Sequence, residues 1–169
     1  LDILTNPERK EYKKYRATIK HADFVTISIG SNDLLHLIQL DLNMEEMIKR
    51  DAHKFDEACV QFAKTFPKII REIRAVNPNV KIYADNIYNP AKGIEAFSQV
   101  YSVADDYINR MNRGFYPSDE YVLVDIKKCF DGEKESMVNL SFKGREIDPH
   151  PSEKGHKKIA QMVIKAMER

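Results

Sequence analysis

The sequence predicts an α/β fold, a three-layer α/β/α sandwich built on a parallel sheet. Three observations carry that expectation. Apolar, β-rich runs at 23–29, 80–85 and 121–126 are each too short for a helix. Between them lie long stretches whose apolar residues recur at steps of three and four, the mark of one helical face. Strands alternating with such helices pair in parallel and are covered on both faces. No repeat, low-complexity tract or linker interrupts the 169 residues, a length that fits one domain, 1–169.

Taken in order, residues 7–19 read as a polar helix with Asn6 as N-cap and Pro7 at its first position. The run DFVTISIG reads as a buried parallel strand, because Phe24, Val25, Ile27 and Ile29 are separated only by small or hydroxylated residues. Gly30 stops it, a polar turn follows, and 34–42 is helical or irregular. From 51 to 76, Phe55, Cys59, Phe62, Phe66, Ile69, Ile73 and Val76 form one face of a long helix, which Pro67 should kink. Asn77 and Pro78 end it, and 80–85 is the second strand, running through Tyr88 into Asn89 and Pro90. A third helix spans 93–113 with Ile94, Phe97, Tyr101, Ala104, Ile108 and Met111 inward, and 121–126 is the third strand. Residues 129–146 read as a polar loop, and 152–167 as a closing helix capped by Ser152.

Composition narrows the function classes. With 27 Lys and Arg against 26 Asp and Glu, no electrostatic footprint points to nucleic acid or an anionic membrane. Small uncharged or mixed substrates are the default. Cys59 and Cys129 read as small buried hydrophobes rather than halves of a bridge. There is no apolar run of transmembrane length and no signal-peptide pattern at Leu1. The chain opens without a Met on LDILTNPE, as though upstream sequence were missing.

Two stretches carry chemistry. In the first, Gly30, Ser31, Asn32 and Asp33 follow the first strand, at the carboxyl end where open α/β sheets bind ligands. Gly30 allows a sharp turn, and Asn32 offers a carboxamide donor able to stabilise an oxyanion. The alternative is a strand terminator and a helix cap. In the second, IDPHPSEKGH at 147–156, His150 lies between two prolines as a candidate general base, with Asp148 as the nearby carboxylate that could orient it. A surface histidine without a catalytic role is the plainer alternative. A metal site using Asp148, His150 and His156 is a third, weakened by the absence of further ligand clusters in the sequence.

Together, GSND after a strand and DPHPSEKGH before a C-terminal helix resemble the GDSL or SGNH hydrolase family. The segments NPNVKIYADNIYNP and YVLVDIKKCFDG resemble that family's fourth and fifth strands, so the likeness runs from residue 23 onward. It implies a flavodoxin-like sheet and serine-dependent hydrolysis of small-molecule esters, without a cofactor. Gly30 and Asn32 match the oxyanion block, and His150 matches the base of a Ser-His-Asp triad. In the commonest pattern the acid precedes the histidine by three residues. Ile147 holds that place here and Asp148 lies two before, leaving Glu146 or a backbone carbonyl as alternatives.

The nucleophile of the family sits in a GDS block, which residues 1–169 lack, and neither Ser28 nor Ser31 matches it. The resemblance therefore implies a member shorn of its first two strands, with the serine outside these residues. It also implies an open sheet edge that recruits a second copy or a strand-swapped partner. The competing class is an inactive fragment or homologue that only binds or assembles.

Overall fold

The structure, a computed structural model, describes residues 1–38, 44–139, 141–143 and 146–168. In chain order its elements are α1 (Asp2–Thr5), α2 (Tyr12–Lys20), β1 (Phe24–Ser28), α3 (Ser31–Leu35), α4 (Met44–Arg50), α5 (Ala52–Val76) and β2 (Lys81–Asp85). There follow a 3-10 turn (Glu95–Phe97), α6 (Ser98–Asn112), β3 (Val122–Val124), α7 (Ile126–Asp131), β4 (Ser141–Lys143), β5 (Glu146–Asp148) and α8 (Glu153–Met167).

The main sheet has the order β1-β2-β3 and both pairings are parallel. Alternation along β2 divides the interior. Ile82 and Ala84 enter a core with Phe55, Phe66 and Ile70 of α5 and Ile108 and Met111 of α6. Tyr83, from the opposite face, joins Val124, Phe130 of α7 and Val163 of α8 in a second core. Side chains of successive strand residues point to opposite faces, so one apolar strand supplies both cores and makes three layers. The first core is anchored by a cluster in which Phe66 sits 4.8 Å from Phe115 and 5.2 Å from Tyr121, both edge to face. Arg74, at the end of α5, donates to the carbonyls of Val80 and Glu120 and so ties the starts of β2 and β3 together.

The structure departs from the sequence expectations in several places. The helix foreseen from Pro7 begins only at Tyr12. Asn6 caps the end of α1, and its side chain accepts from the backbone of Glu8 at 3.1 Å, a local turn that competes with helix. The strand foreseen as buried is half covered: Val25 and Ile27 face the first core, whereas Phe24, Thr26 and Ser28 are exposed. β1 lies at the sheet edge, and the second core closes over β2 and β3 alone. The loop foreseen at 129–146 begins inside α7 and contains the first strand of an antiparallel β4-β5 hairpin. Finally, Ile70 rather than Ile69 is the fully buried residue on α5, although Phe55, Phe62, Phe66 and Ile73 are buried as expected.

The 34–42 stretch forms α3 up to Leu35, and its residues 39–43 lie outside the described ones. No helix among the described residues is long and apolar enough to cross a membrane.

Candidate active site

A cavity opens at the carboxyl ends of β1 and β2, and both sequence motifs reach it. Ser28, Ser31, Asn32, Asp85, Asn86 and His150 form its polar rim. Asn32 and His150, far apart in sequence, thus line one cavity.

Gly30 makes the first turn possible. Its φ of 101° lies in the left-handed region that other residues enter at a cost. A Cβ there would also meet the Phe62 ring at 2.7 Å and Ile87 at 2.9 Å. Gly30→Ala is accordingly expected to destabilise the fold by about 2–4 kcal/mol, combining backbone strain with overpacking. An unchanged midpoint in a urea titration would contradict this. After Gly30 the chain enters α3 at once, leaving Asn32 exposed in its first turn. The Asn32 carboxamide makes no hydrogen bond among the described residues, so its NH2 is free to serve a ligand.

His150 is held from three directions. Its ring Nδ1 is hydrogen-bonded to Asp148 Oδ1, and the same oxygen accepts from the His150 backbone N–H at 3.1 Å. Its carbonyl accepts from the Asn139 N–H at 3.2 Å. Tyr88 Oη donates to the carbonyl of Pro149 at 3.0 Å, while its ring lies 4.8 Å from Phe130. The hydrogen bonds from the His150 ring and backbone hold the Asp148 carboxyl below its usual range. The two-residue spacing works geometrically because one carboxylate oxygen closes a short turn onto both backbone and ring. The side chains of Glu146 and Ile147 lie outside the described residues.

Behind His150, Ser152 caps α8 by accepting from Gly155 N at 3.1 Å, and donates to Met137 O at the same distance. Gly155 is irreplaceable in that corner, since a Cβ would fall 2.1 Å from Met137 O.

Several residues of the site escaped the sequence reading. Asp85, at the end of β2, is 8 % exposed, and its Oδ1 has no hydrogen-bond partner among the described residues. Burial pushes its carboxyl up to about 6. Asn86 bonds Asp125 Oδ1 at 2.7 Å and accepts from Lys127 N at 2.8 Å. Asn112 pairs with both backbone groups of Ile87 at 2.8 Å, and Asn89, 2 % exposed, is bonded to Tyr101, Asp105 and Ala91. A usable signal was there: polar residues ending an apolar strand sit where such sheets bind ligands.

Asp148 and His150 contact each other, whereas His156 lies exposed in the first turn of α8. Among the described residues no three His, Cys, Asp or Glu side chains group closely enough to hold a metal ion. Cys59 and Cys129 are free.

At its carboxyl end the parallel sheet thus presents a polar rim to a histidine tethered to a carboxylate. The chain belongs to the GDSL-like lipase/acylhydrolase family, whose model matches residues 5–158. It is 27 % identical over 163 residues to the uncharacterized protein YpmR of Bacillus subtilis (strain 168), covering 96 % of this chain. The chain spans 60 % of the length of that curated relative. The crystal structure of the lipase Lip_vut3 from goat rumen metagenome shares the fold, with a TM-score of 0.67 at 22 % identity over 97 % of this chain and 70 % of that one.

Proposed function

We propose that the protein hydrolyses carboxylic esters by a serine-dependent route, with the nucleophile contributed from outside residues 1–169. His150 accepts the serine proton as the serine oxygen attacks the ester carbonyl, and Asp148 steadies the imidazolium that forms. The Asn32 carboxamide, with the backbone around Gly30, donates to the tetrahedral oxyanion. Collapse of that intermediate returns the proton to the leaving alcohol and leaves an acyl-enzyme. Water, deprotonated by His150, then releases the acid and restores the serine.

The observation that carries this reading is the convergence of a free amide donor and a carboxylate-tethered histidine on one cavity. The serine is assigned elsewhere because residues 1–169 contain no GDS block. In addition, neither Ser28 nor Ser31 bonds His150 among the described residues, although both line the cavity. In the full-length protein, a serine-directed phosphonate is expected to abolish hydrolysis of a p-nitrophenyl ester, and EDTA to leave it intact. Asn32→Ala should lower kcat about a hundredfold or more. Loss of activity with EDTA, or full activity in the Asn32 variant, would sink the mechanism.

One observation favours a second reading, a module that binds or assembles. β1 pairs with β2 alone among the described residues, and Phe24 on its open face is 51 % exposed. Such an edge recruits another strand. Residues 1–169 prepared alone are therefore expected to hydrolyse no p-nitrophenyl ester and to associate, through edge pairing or strand exchange. Light scattering beside an esterase assay tests both points. A stable, active 19.6 kDa monomer would mean that the nucleophile has been misplaced.

A further inference from the structure

We propose that the apolar chamber beneath the rim is the acyl subsite, and that it selects short, neutral acyl groups of about four to six carbons. This deepens the ester reading and rests on it for the word acyl. Below Asn32 and His150 the cavity wall turns abruptly apolar: Leu34 of α3, Ile48 of α4, Phe55 of α5, and Val100, Ala104 and Ile108 of α6. Leu34, Ile48, Phe55 and Ile108 are all buried in the first core, and the Phe55 ring lies 5.0 Å from that of Tyr107, which also lines the cavity.

Size sets the length of the occupant. Rim and chamber together enclose about 150 Å³, an upper bound on the space for the occupant. A dry apolar cavity of about that volume holds one benzene molecule, six carbons. A butanoyl or hexanoyl chain fills such a space, whereas a dodecanoyl chain would leave most of its length in water. Charge sets the second limit. No described lining residue is Lys or Arg, and the one carboxyl among them, Asp85 on the rim, has an oxygen without a partner. An acyl group ending in a carboxylate would find no cation and would meet a like charge.

The test uses the full-length protein and p-nitrophenyl esters from acetate to dodecanoate. Each methylene buried is worth about fourfold in kcat/KM. The value is therefore expected to climb by about that factor per methylene up to hexanoate and then to fall. The half-ester of glutaric acid should be hydrolysed far more slowly than pentanoate. Ala104→Phe and Val100→Phe, at two half-buried positions on α6, fill the chamber from its wall. Either one, once circular dichroism shows it folded, should move the optimum to acetate. An optimum at acetate in the unaltered protein, or a rise continuing to dodecanoate, overturns the chamber while leaving ester hydrolysis intact. Titration with 1-hexanol, followed by NMR of the Leu34, Ile48 and Ile108 methyls, separates the two claims. Shifts at those methyls in a protein that turns over no ester keep the chamber and sink the hydrolysis; no shifts sink the chamber.

Discussion

His150→Ala in the full-length protein is expected to lower kcat by about three to four orders of magnitude with little change in KM. The imidazole side chain is 80 % exposed and supports no core, so its loss should leave the fold intact. On the proposed route, what disappears is the proton acceptor for both acylation and deacylation. Asp148→Ala should cost less, about tenfold to a hundredfold. Its carboxylate is 55 % exposed, so solvent screens its charge, and its main contribution is to fix which ring nitrogen faces the cavity. Stopped-flow kinetics on both variants checks this. An His150→Ala enzyme within tenfold of the parent would remove the histidine from the mechanism.

The second large effect concerns stability. In the folded chain the Asp85 carboxyl titrates near 6, raised from 3.8 by burial, while in the unfolded chain it ionises near its ordinary value. Between those two values the folded state keeps a proton that the unfolded state has released. The stabilisation is therefore complete below about 4 and is lost as the pH rises through about 6. At about 1.4 kcal/mol per pH unit between the two values, the loss is about 3 kcal/mol. Asp85→Asn keeps the shape and removes the charge. It is expected to be about 2–3 kcal/mol more stable than the parent at pH 8 and nearly equal to it at pH 4. Denaturant titrations at the two pH values decide the matter. A variant that is less stable at pH 8 would mean that the carboxylate has a partner in the folded state.

Much of this was legible in the residues. Short apolar, β-rich runs marked the strands, and the three-four spacing of Phe55, Phe62, Phe66 and Ile73 marked the long helix, because burial of one helical face leaves a regular imprint. The two motifs marked Gly30, Asn32, Asp148 and His150, because turns and pinned loops use few residue types. The α7 helix and the β4-β5 hairpin left no such imprint: their few apolar residues, such as Ile126 and Phe130, answer to contacts with distant elements. Asp85 was hidden for a related reason. Whether a carboxyl is solvated or sealed depends on the fold around it rather than on its sequence neighbours, and Asp85 is sealed at the end of β2. The exposure of β1 likewise reflects its place at the sheet edge, which no local pattern encodes.

The seam between the two cores has a consequence for heating. Asn32 and the chamber walls belong to the first core through Leu34, Phe55 and Ile108. The His150 loop is fastened to the second, through Met137, Phe130 and the cap of α8. That second core is the smaller of the two among the described residues, and a small cooperative unit opens at a lower free energy than the rest. Warming should thus unfasten the base while the chamber still stands. Over a window of temperature the chamber would go on capturing a ligand after the proposed base had swung away, so that heating would separate binding from the proposed turnover.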